Sequence, residues 1–192
     1  MLKGAGFPDV YSMEGGIDAW RGGVALGTPD QSVTYFLDAD SLEEMLALAW
    51  SMEEGALRFY SVAAEKSVTP EGESLFKDLV TAEVHHKASV ERMRESLVPG
   101  AASFTELVGG DRMLGNVMEG GFSTGEIISR YAGLSTEEVL AFSMAMETTS
   151  YDLYLKLGRT VKDEQAAGAF RELAEEERKH LDRLSRAMDD FG

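Results

Sequence analysis

The chain has no cysteine among its 192 residues. This absence excludes disulfide bonds, thiolate catalysis and any iron site held by cysteine sulfur. Long apolar runs are also missing, because no stretch approaches the roughly 18 residues that a membrane-spanning helix requires. The first eight residues do not contain the apolar stretch of a signal peptide. We therefore expect a cytoplasmic protein that does not use the membrane as a partner.

Positive charge is scarce. The sequence contains 18 Lys and Arg against 34 Asp and Glu, which gives a formal net charge of −16. Nucleic acid is therefore a poor partner for this chain, and so is an anionic membrane surface. The hydrophobic fraction of 44% is sufficient for a core. A chain of this length predicts one domain of ordinary size, with a short appendage.

The most informative feature that is present is a repeat. A Glu, a Tyr and a Glu-x-x-His motif occur in that order twice, and adding 94 to each number of the first copy gives the second. The first copy is Glu53, Tyr60, Glu83 and His86, and the second is Glu147, Tyr154, Glu177 and His180. A duplicated pair of helices is the natural interpretation, and the matching positions are metal-ligand residue types.

Helical spacing explains why these residue types could bind metal. Residues three apart lie on one helix face, so each Glu-x-x-His motif directs a carboxylate and an imidazole the same way. One Glu from each of two helices and one Glu-x-x-His from each of two others is the ligand arrangement of di-iron carboxylate bundles. Two divalent cations would cancel the charge of four carboxylates, which are unfavourable in a core without compensation. The ligand set suits iron or manganese, and zinc could also bind.

Two neighbouring residues compete for these roles. Glu54 is an alternative to Glu53, but the residue 94 positions later is Thr148, so Glu54 has no counterpart carboxylate. Glu53 also shares an apolar stripe of its helix, and we predict that it is the ligand. His85 has no counterpart either, because residue 179 is Lys, and we expect His85 to be solvated.

The two tyrosines have two possible roles. Tyr60 and Tyr154 each follow a candidate ligand by seven residues, which places each one nearly above its Glu on the same helix face. Each hydroxyl could bond a ligand carboxylate on a neighbouring helix. Alternatively, each tyrosine could be a core residue whose hydroxyl has found some other partner. We expect no catalytic residue beyond the metal ligands.

Caps and apolar spacing predict four long helices, at about 41–66, 72–97, 135–157 and 162–189, with Gly158 ending the third. A glycine-rich connection over 99–134 joins the second to the third, with short helices near 112–118 and 124–131. A helix of about 26 residues is about 39 Å long, and this connection can cross that distance. The predicted fold is all-α, a four-helix bundle with one long crossover between helices 2 and 3.

Residues from about 40 to 189 resemble the ferritin-like domain of rubrerythrins, on the strength of the duplicated Glu, Tyr and Glu-x-x-His positions. The resemblance implies a non-haem di-iron centre in a cytoplasmic protein, and either peroxide reduction or ferrous-iron oxidation. It implies peroxide or dioxygen as substrate, an external electron donor and a homodimer. The ligand roles that it implies are terminal for Glu53 and Glu147, bridging for Glu83 and Glu177, and capping of one metal each for His86 and His180.

The chain departs from the rubrerythrin pattern in two places. Without cysteine it cannot carry the rubredoxin-type iron domain that usually serves as electron donor. Many rubrerythrins also have a seventh carboxylate one turn beyond the third-helix Glu, and that position here is Ser150. The chain therefore resembles a minimal, symmetric member of the family.

Residues 1–33 differ in composition from the rest and are rich in glycine. The stretch 6–20 resembles the last strand and helix of a rhodanese domain, although sulfur transfer is excluded without cysteine. We therefore predict a rhodanese-like C-terminal fragment or linker at 1–33 and a ferritin-like di-metal bundle at 34–192. The alternative function is an iron-binding, iron-handling or regulatory module without turnover, as part of a rhodanese fusion.

Overall fold

The structure is a computed structural model that describes residues 36, 39, 41–100, 104, 115–131 and 134–191. The rhodanese-like fragment predicted at 1–33 lies outside these residues, so that fragment and the domain boundary after it stay predictions. The elements in chain order are α1 Leu42–Lys66, α2 Pro70–Leu97, β1 Val117–Met118, a 3-10 turn Glu119–Gly121, β2 Phe122–Ser123, α3 Thr124–Tyr131, α4 Thr136–Thr160 and α5 Glu164–Phe191.

The four long helices form two helix hairpins. Helix α1 packs along α2, α4 packs along α5, and the two hairpins meet where α2 contacts α5. The crossover between α2 and α4 returns to the bundle, where β1 and α3 contact α1 and the 3-10 turn contacts both α1 and α4. The predicted all-α four-helix bundle with one long crossover is confirmed. None of the helices that the structure describes is both long and apolar enough to cross a membrane.

Side-chain caps fix where the helices begin. The Ser135 hydroxyl accepts the Glu138 amide, and the Glu138 carboxylate accepts the Ser135 amide, so the capping box predicted for α4 is complete. At α1 the Ser41 hydroxyl accepts the Glu44 amide. Helix α2 begins two residues earlier than predicted, because Thr69 caps it and Pro70 occupies the first helical position, which proline favours.

The predicted end of α4 at Gly158 is wrong, since the helix continues to Thr160. Gly158 instead allows α4 and α5 to approach each other closely. A Cβ at Gly158 would lie 2.9 Å from the Cγ of Arg171 on α5. The carbonyl of Gly158 also accepts a hydrogen bond from the guanidinium of Arg171, at 3.1 Å.

The crossover contains a small β-hairpin where the last residues of one predicted helix were expected. Residues 112–114 of that predicted helix lie outside the residues that the structure describes. The prediction of a helix at 112–118 is wrong for its last residues, because Val117 and Met118 pair in antiparallel register with Ser123 and Phe122. Gly120 and Gly121 form the turn with φ values of 73° and 76°, a region that glycine adopts without a steric penalty. The second predicted helix, 124–131, is confirmed as α3.

Two apolar clusters fill the bundle. The first includes Phe59, Phe76 and Leu140, and the second includes Leu46, Leu153 and Phe170. Tyr60 belongs to the first cluster and Tyr154 to the second, and both side chains are fully buried. Each tyrosine is therefore held by surrounding apolar packing, which fixes where its hydroxyl can point.

Candidate metal centre

The six predicted ligand residues converge in the interior of the bundle. All four glutamates are 0% exposed, His86 is 4% exposed and His180 is 2% exposed. They are distributed over the four long helices, with Glu53 on α1, Glu83 and His86 on α2, Glu147 on α4, and Glu177 and His180 on α5. Because each Glu-x-x-His motif lies on one helix face, α2 and α5 each contribute two adjacent donors.

The first half of the centre surrounds Nδ1 of His86. This atom lies 3.1 Å from Oε2 of Glu53, 3.5 Å from Oε1 of Glu177 and 3.7 Å from Oε2 of Glu83. One imidazole nitrogen and three carboxylate oxygens thus meet at a single point. This is a donor set for one divalent cation with nitrogen and oxygen ligands.

The second half repeats this geometry around His180. Its Nδ1 lies 3.3 Å from Oε2 of Glu147, 3.5 Å from Oε1 of Glu83 and 3.9 Å from Oε2 of Glu177. The two imidazole rings stack with their centroids 4.3 Å apart. The internal repeat of the sequence therefore appears in three dimensions as two adjoining donor sets.

Two carboxylates belong to both halves. Glu83 directs Oε2 toward His86 and Oε1 toward His180, and Glu177 directs Oε1 toward His86 and Oε2 toward His180. Glu53 and Glu147 each approach only one histidine among these ion-pair contacts. A carboxylate that divides its two oxygens between neighbouring donor sets is suited to bridge two ions.

The tyrosines connect the halves. Tyr60 on α1 donates its hydroxyl proton to Oε1 of Glu147, at 2.8 Å. Tyr154 on α4 donates to Oε1 of Glu53, at 2.9 Å. Each contact is the one expected of a phenol that bonds a ligand carboxylate on a neighbouring helix. Each leaves the other oxygen of that glutamate directed at the histidine.

The electrostatics divide the carboxylates into two groups. Burial by itself would raise the pKa of Glu53 and of Glu147. The nearby histidine and the tyrosine hydroxyl instead lower both, the pKa of Glu147 to about 2. Burial and the neighbouring negative charges raise the pKa of Glu83 and of Glu177 well above the usual range. Of the four predicted glutamate ligands, these two are therefore the ones whose negative charge the protein compensates less.

The donor atoms fit divalent metal. All four oxygens of Glu83 and Glu177 are buried without a hydrogen-bond partner among the described residues. Leaving a buried carboxylate unsatisfied is costly, whereas a cation bound between the donors would satisfy it. Oxygen and imidazole nitrogen ligands suit iron, manganese or zinc. The donor atoms of the site are therefore suited to bind metal.

Sequence reasoning missed one residue of this cluster, Glu119 in the crossover. Glu119 is 0% exposed, and an oxygen from it lies within 4.8 Å of oxygens from Glu53 and Glu83. Burial, with the negative charges of Glu147 and Glu53, raises its pKa well above the usual range. It escaped prediction because it lies outside the repeat and outside the long helices. Its one sequence signal is a lone Glu followed directly by two glycines.

The competing residues lie outside the cluster. Glu54 pairs with Arg58 at 2.9 Å and also with Lys87, and so belongs to an ion-pair network at the bundle surface. His85 is exposed, as expected.

On another side of the centre, Glu176 lies 3.9 Å from Nε2 of His86 and lines a cleft of about 440 Å³ between α2 and α5.

The fold and the cluster together define a class, namely four-helix bundles in which a duplicated Glu and Glu-x-x-His set forms a buried site suited to two metal ions. The family model for rubrerythrin matches residues 27–94 and 138–192, which is more than half of the chain. The chain belongs to the rubrerythrin family.

A solved structure shares the fold. It is a hypothetical protein from Pyrococcus furiosus, with 24% sequence identity and a TM-score of 0.51. The similarity covers 78% of this chain and 89% of the archaeal one. The chain has no match among curated proteins.

Proposed function

We propose that this protein is a non-haem di-iron oxidoreductase of the rubrerythrin type that reduces peroxide or oxidises ferrous iron. The observation that carries the proposal is the division of oxygens in Glu83 and Glu177, each of which directs one oxygen to each histidine. A single-metal site would not require two carboxylates arranged in this way. Membership of the rubrerythrin family supports iron as the metal.

In this proposal the six residues would hold two ions: His86 and Glu53 would serve one, His180 and Glu147 would serve the other, and Glu83 and Glu177 would serve both. Two ferrous ions would supply the two electrons that, with two protons, convert one hydrogen peroxide into two waters, each ion becoming ferric. An external donor must then return two electrons. The cytoplasm and a homodimer remain the expected setting.

The other groups of the site hold the ligands in place. Tyr60 and Tyr154 fix the terminal carboxylates, so that one oxygen of each remains directed at the metal position. Their own pKa values are raised well above the ordinary value, first by burial and then by the nearby carboxylates. Both phenols therefore remain protonated donors at neutral pH. The buried apolar surroundings keep bulk water from the donors.

The proposal is tested with metal-free protein loaded anaerobically with Fe²⁺ and then mixed rapidly with hydrogen peroxide. We expect two Fe²⁺ per chain and the loss of one peroxide for every two Fe²⁺ oxidised. The same mixing with dioxygen measures ferrous-iron oxidation. Tight binding of two Fe²⁺ without oxidation by either reagent would contradict the enzyme and favour the alternative, an iron-handling or regulatory module within a rhodanese fusion.

Adjacent glutamates on α1 provide a matched pair of variants. Glu53→Gln removes a proposed ligand, whereas Glu54→Gln removes a carboxylate that pairs with Arg58 and Lys87 instead. We expect loss of iron oxidation in the first and retention in the second. Equal activity in both variants would contradict the assignment of Glu53.

A further inference from the structure

We propose that Glu119, carried by the crossover hairpin, is a seventh metal-binding carboxylate and serves the metal position beside Glu53 and Glu83. The inference rests on the proposed two-metal centre and adds a residue that lies outside the repeat. It also predicts that the two metal positions are unequal.

The side chain of Glu119 lies among the candidate ligands. Glu119 is 0% exposed, and its carboxylate reaches within 4.8 Å of oxygens from Glu53 and Glu83. Both of its oxygens are buried, and neither has a partner at hydrogen-bonding geometry in the described part of the chain. The largest charges acting on it are the carboxylates of Glu147 and Glu53. A cation between these carboxylates would compensate this charge.

The backbone of the crossover hairpin brings Glu119 inward. Gly55 on α1 has no Cβ, and a Cβ there would lie 2.7 Å from the Cα of Met118 and 2.8 Å from the carbonyl oxygen of Val117. The hairpin therefore lies directly against α1, two residues beyond Glu53. The amide of Gly115 also donates to the hydroxyl of Ser51, which ties the start of the hairpin to the same helix.

A tight turn follows Glu119. Gly120 and Gly121 both have positive φ, at 73° and 76°. Two consecutive residues in this region reverse the chain at once and let Phe122 pair with Met118. Glu119 is thus held at the tip of the hairpin, where its side chain enters the bundle while the backbone turns away.

The repeat gives Glu119 no counterpart, because the residue 94 positions earlier is Ala25. Glu119 therefore adds a donor to a centre that is otherwise symmetric. Ser150, buried on α4 one helical turn beyond Glu147, is a neighbour of Glu119. Its small side chain leaves room for a carboxylate that arrives from the crossover. The position next to Glu53 then has one more oxygen donor than the position next to Glu147.

The test compares Glu119→Gln with Glu126→Gln, which removes an exposed carboxylate from the same crossover. Metal-free protein is titrated with Co²⁺ and followed by calorimetry and visible absorption. We expect wild type and Glu126→Gln to bind two equivalents alike. In Glu119→Gln one equivalent of Co²⁺ should bind at least about tenfold more weakly, and the absorption band should change. Even the loss of a residue that only hydrogen-bonds a metal ligand lowers metal affinity by about 10–100-fold.

A second readout separates a ligand from a structural residue. Without metal at pH 7, Glu119→Gln should unfold at a higher temperature than wild type, because it removes one buried carboxylate that has no cationic partner. A residue that only shapes the hairpin would lower both metal affinity and the unfolding temperature, and that result would overturn the inference. Unchanged affinity for both equivalents would also overturn it. Failure of wild type to bind two Co²⁺ would instead overturn the proposed centre itself, and the inference with it.

Discussion

At the residue scale, the glutamates proposed as terminal ligands differ from those proposed as bridging ligands in what their second oxygen contacts. Glu53 directs one oxygen at His86, and its other oxygen accepts the hydroxyl of Tyr154. Glu83 directs both of its oxygens at histidines and has no hydrogen-bond partner within the described residues. The protein itself therefore donates a hydrogen bond to one oxygen of each proposed terminal carboxylate, whereas it donates none to Glu83.

This difference predicts unequal consequences of ligand removal on the same helix. His86→Ala should weaken one metal position and spare most of the other, because one imidazole serves one ion. Glu83→Ala should reduce the content of both ions, because its oxygens reach both donor sets. Metal per chain, measured after dialysis, is the readout, and Asp78→Ala on the exposed face of α2 is the control. Retention of two metals by Glu83→Ala and by Glu177→Ala would refute the bridging roles.

The tyrosine contacts give a second prediction at this scale. Tyr60→Phe and Tyr154→Phe each remove a buried hydrogen bond to a carboxylate, which typically contributes about 1.5–3 kcal/mol. We expect both variants to lose stability of that order without metal and to bind metal about 10–100-fold more weakly. Denaturant unfolding and metal titration measure the two effects. Tyr131→Phe is the control, since that buried ring packs on Phe142 in the same core. Wild-type metal affinity in both site variants would show that the phenols do not support the ligands.

At the element scale, the crossover positions a functional residue as well as joining two helix hairpins. Its β-hairpin lies against α1 at Gly55, and its 3-10 turn contacts both α1 and α4. A connection of this kind can alter the centre without any change in the four helices. We therefore expect metal affinity to depend on the position of the hairpin as well as on the carboxylate of Glu119.

Gly55→Ala tests this dependence while leaving every candidate ligand in place. The added Cβ would meet Met118 at 2.7 Å, so the hairpin or the helix must shift. Overpacking of this kind costs about 1–3 kcal/mol, and metal affinity should fall as the hairpin moves. Gly125→Ala is the matched control, because nothing lies within 4 Å of its Cβ and alanine favours the helix that contains it. Equal metal affinity in the two variants would contradict the role of the hairpin.

Local sequence signals predicted the elements that depend on local physics. Ser135 and Glu138 marked the start of α4, and the repeat identified the six helix-borne donors because helical spacing brings residues three apart onto one face. Gly158 misled the prediction, since its role is set by contact with Arg171 on another helix. Glu119 could not be predicted, because its burial depends on the approach of the crossover hairpin to α1. The role of a residue that is positioned by contacts distant in sequence cannot be predicted from the periodicity of its own segment.

At the scale of the whole molecule, the centre concentrates negative charge in a chain whose formal net charge is already −16. Without metal, five buried carboxylates face two imidazoles. Burial raises the pKa of Glu83, Glu119 and Glu177 well above the ordinary value of 4.5. The folded protein therefore binds more protons than the unfolded chain in the range above 4.5, and its stability becomes linked to pH.

The sign of this linkage gives a prediction. The unfolding free energy of metal-free protein should rise as the pH falls from 8 toward 5. Over this range the three carboxyls with raised pKa take up protons, which removes the cost of burying their negative charge. Below about pH 4.5 the unfolding free energy should fall, since the pKa of Glu147 is lowered to about 2 and its contribution is lost as the pH drops toward that value. Denaturant unfolding with a chelator present measures stability across both pH ranges. In Glu83→Gln the change in stability between pH 8 and pH 5 should be smaller than in wild type. A steady rise in metal-free stability from pH 5 to 8 would show that the carboxylates do not interact.

We propose that the duplicated residues form one two-metal centre. The most direct measurement is anomalous diffraction at the iron absorption edge from crystals of protein loaded with Fe²⁺. We expect two peaks per chain, about 3.5–4 Å apart as in other two-metal sites, between Glu83 and Glu177 and each beside one of the two histidines. A single peak, or iron bound only outside the cluster of Glu53, Glu83, His86, Glu147, Glu177 and His180, would contradict it.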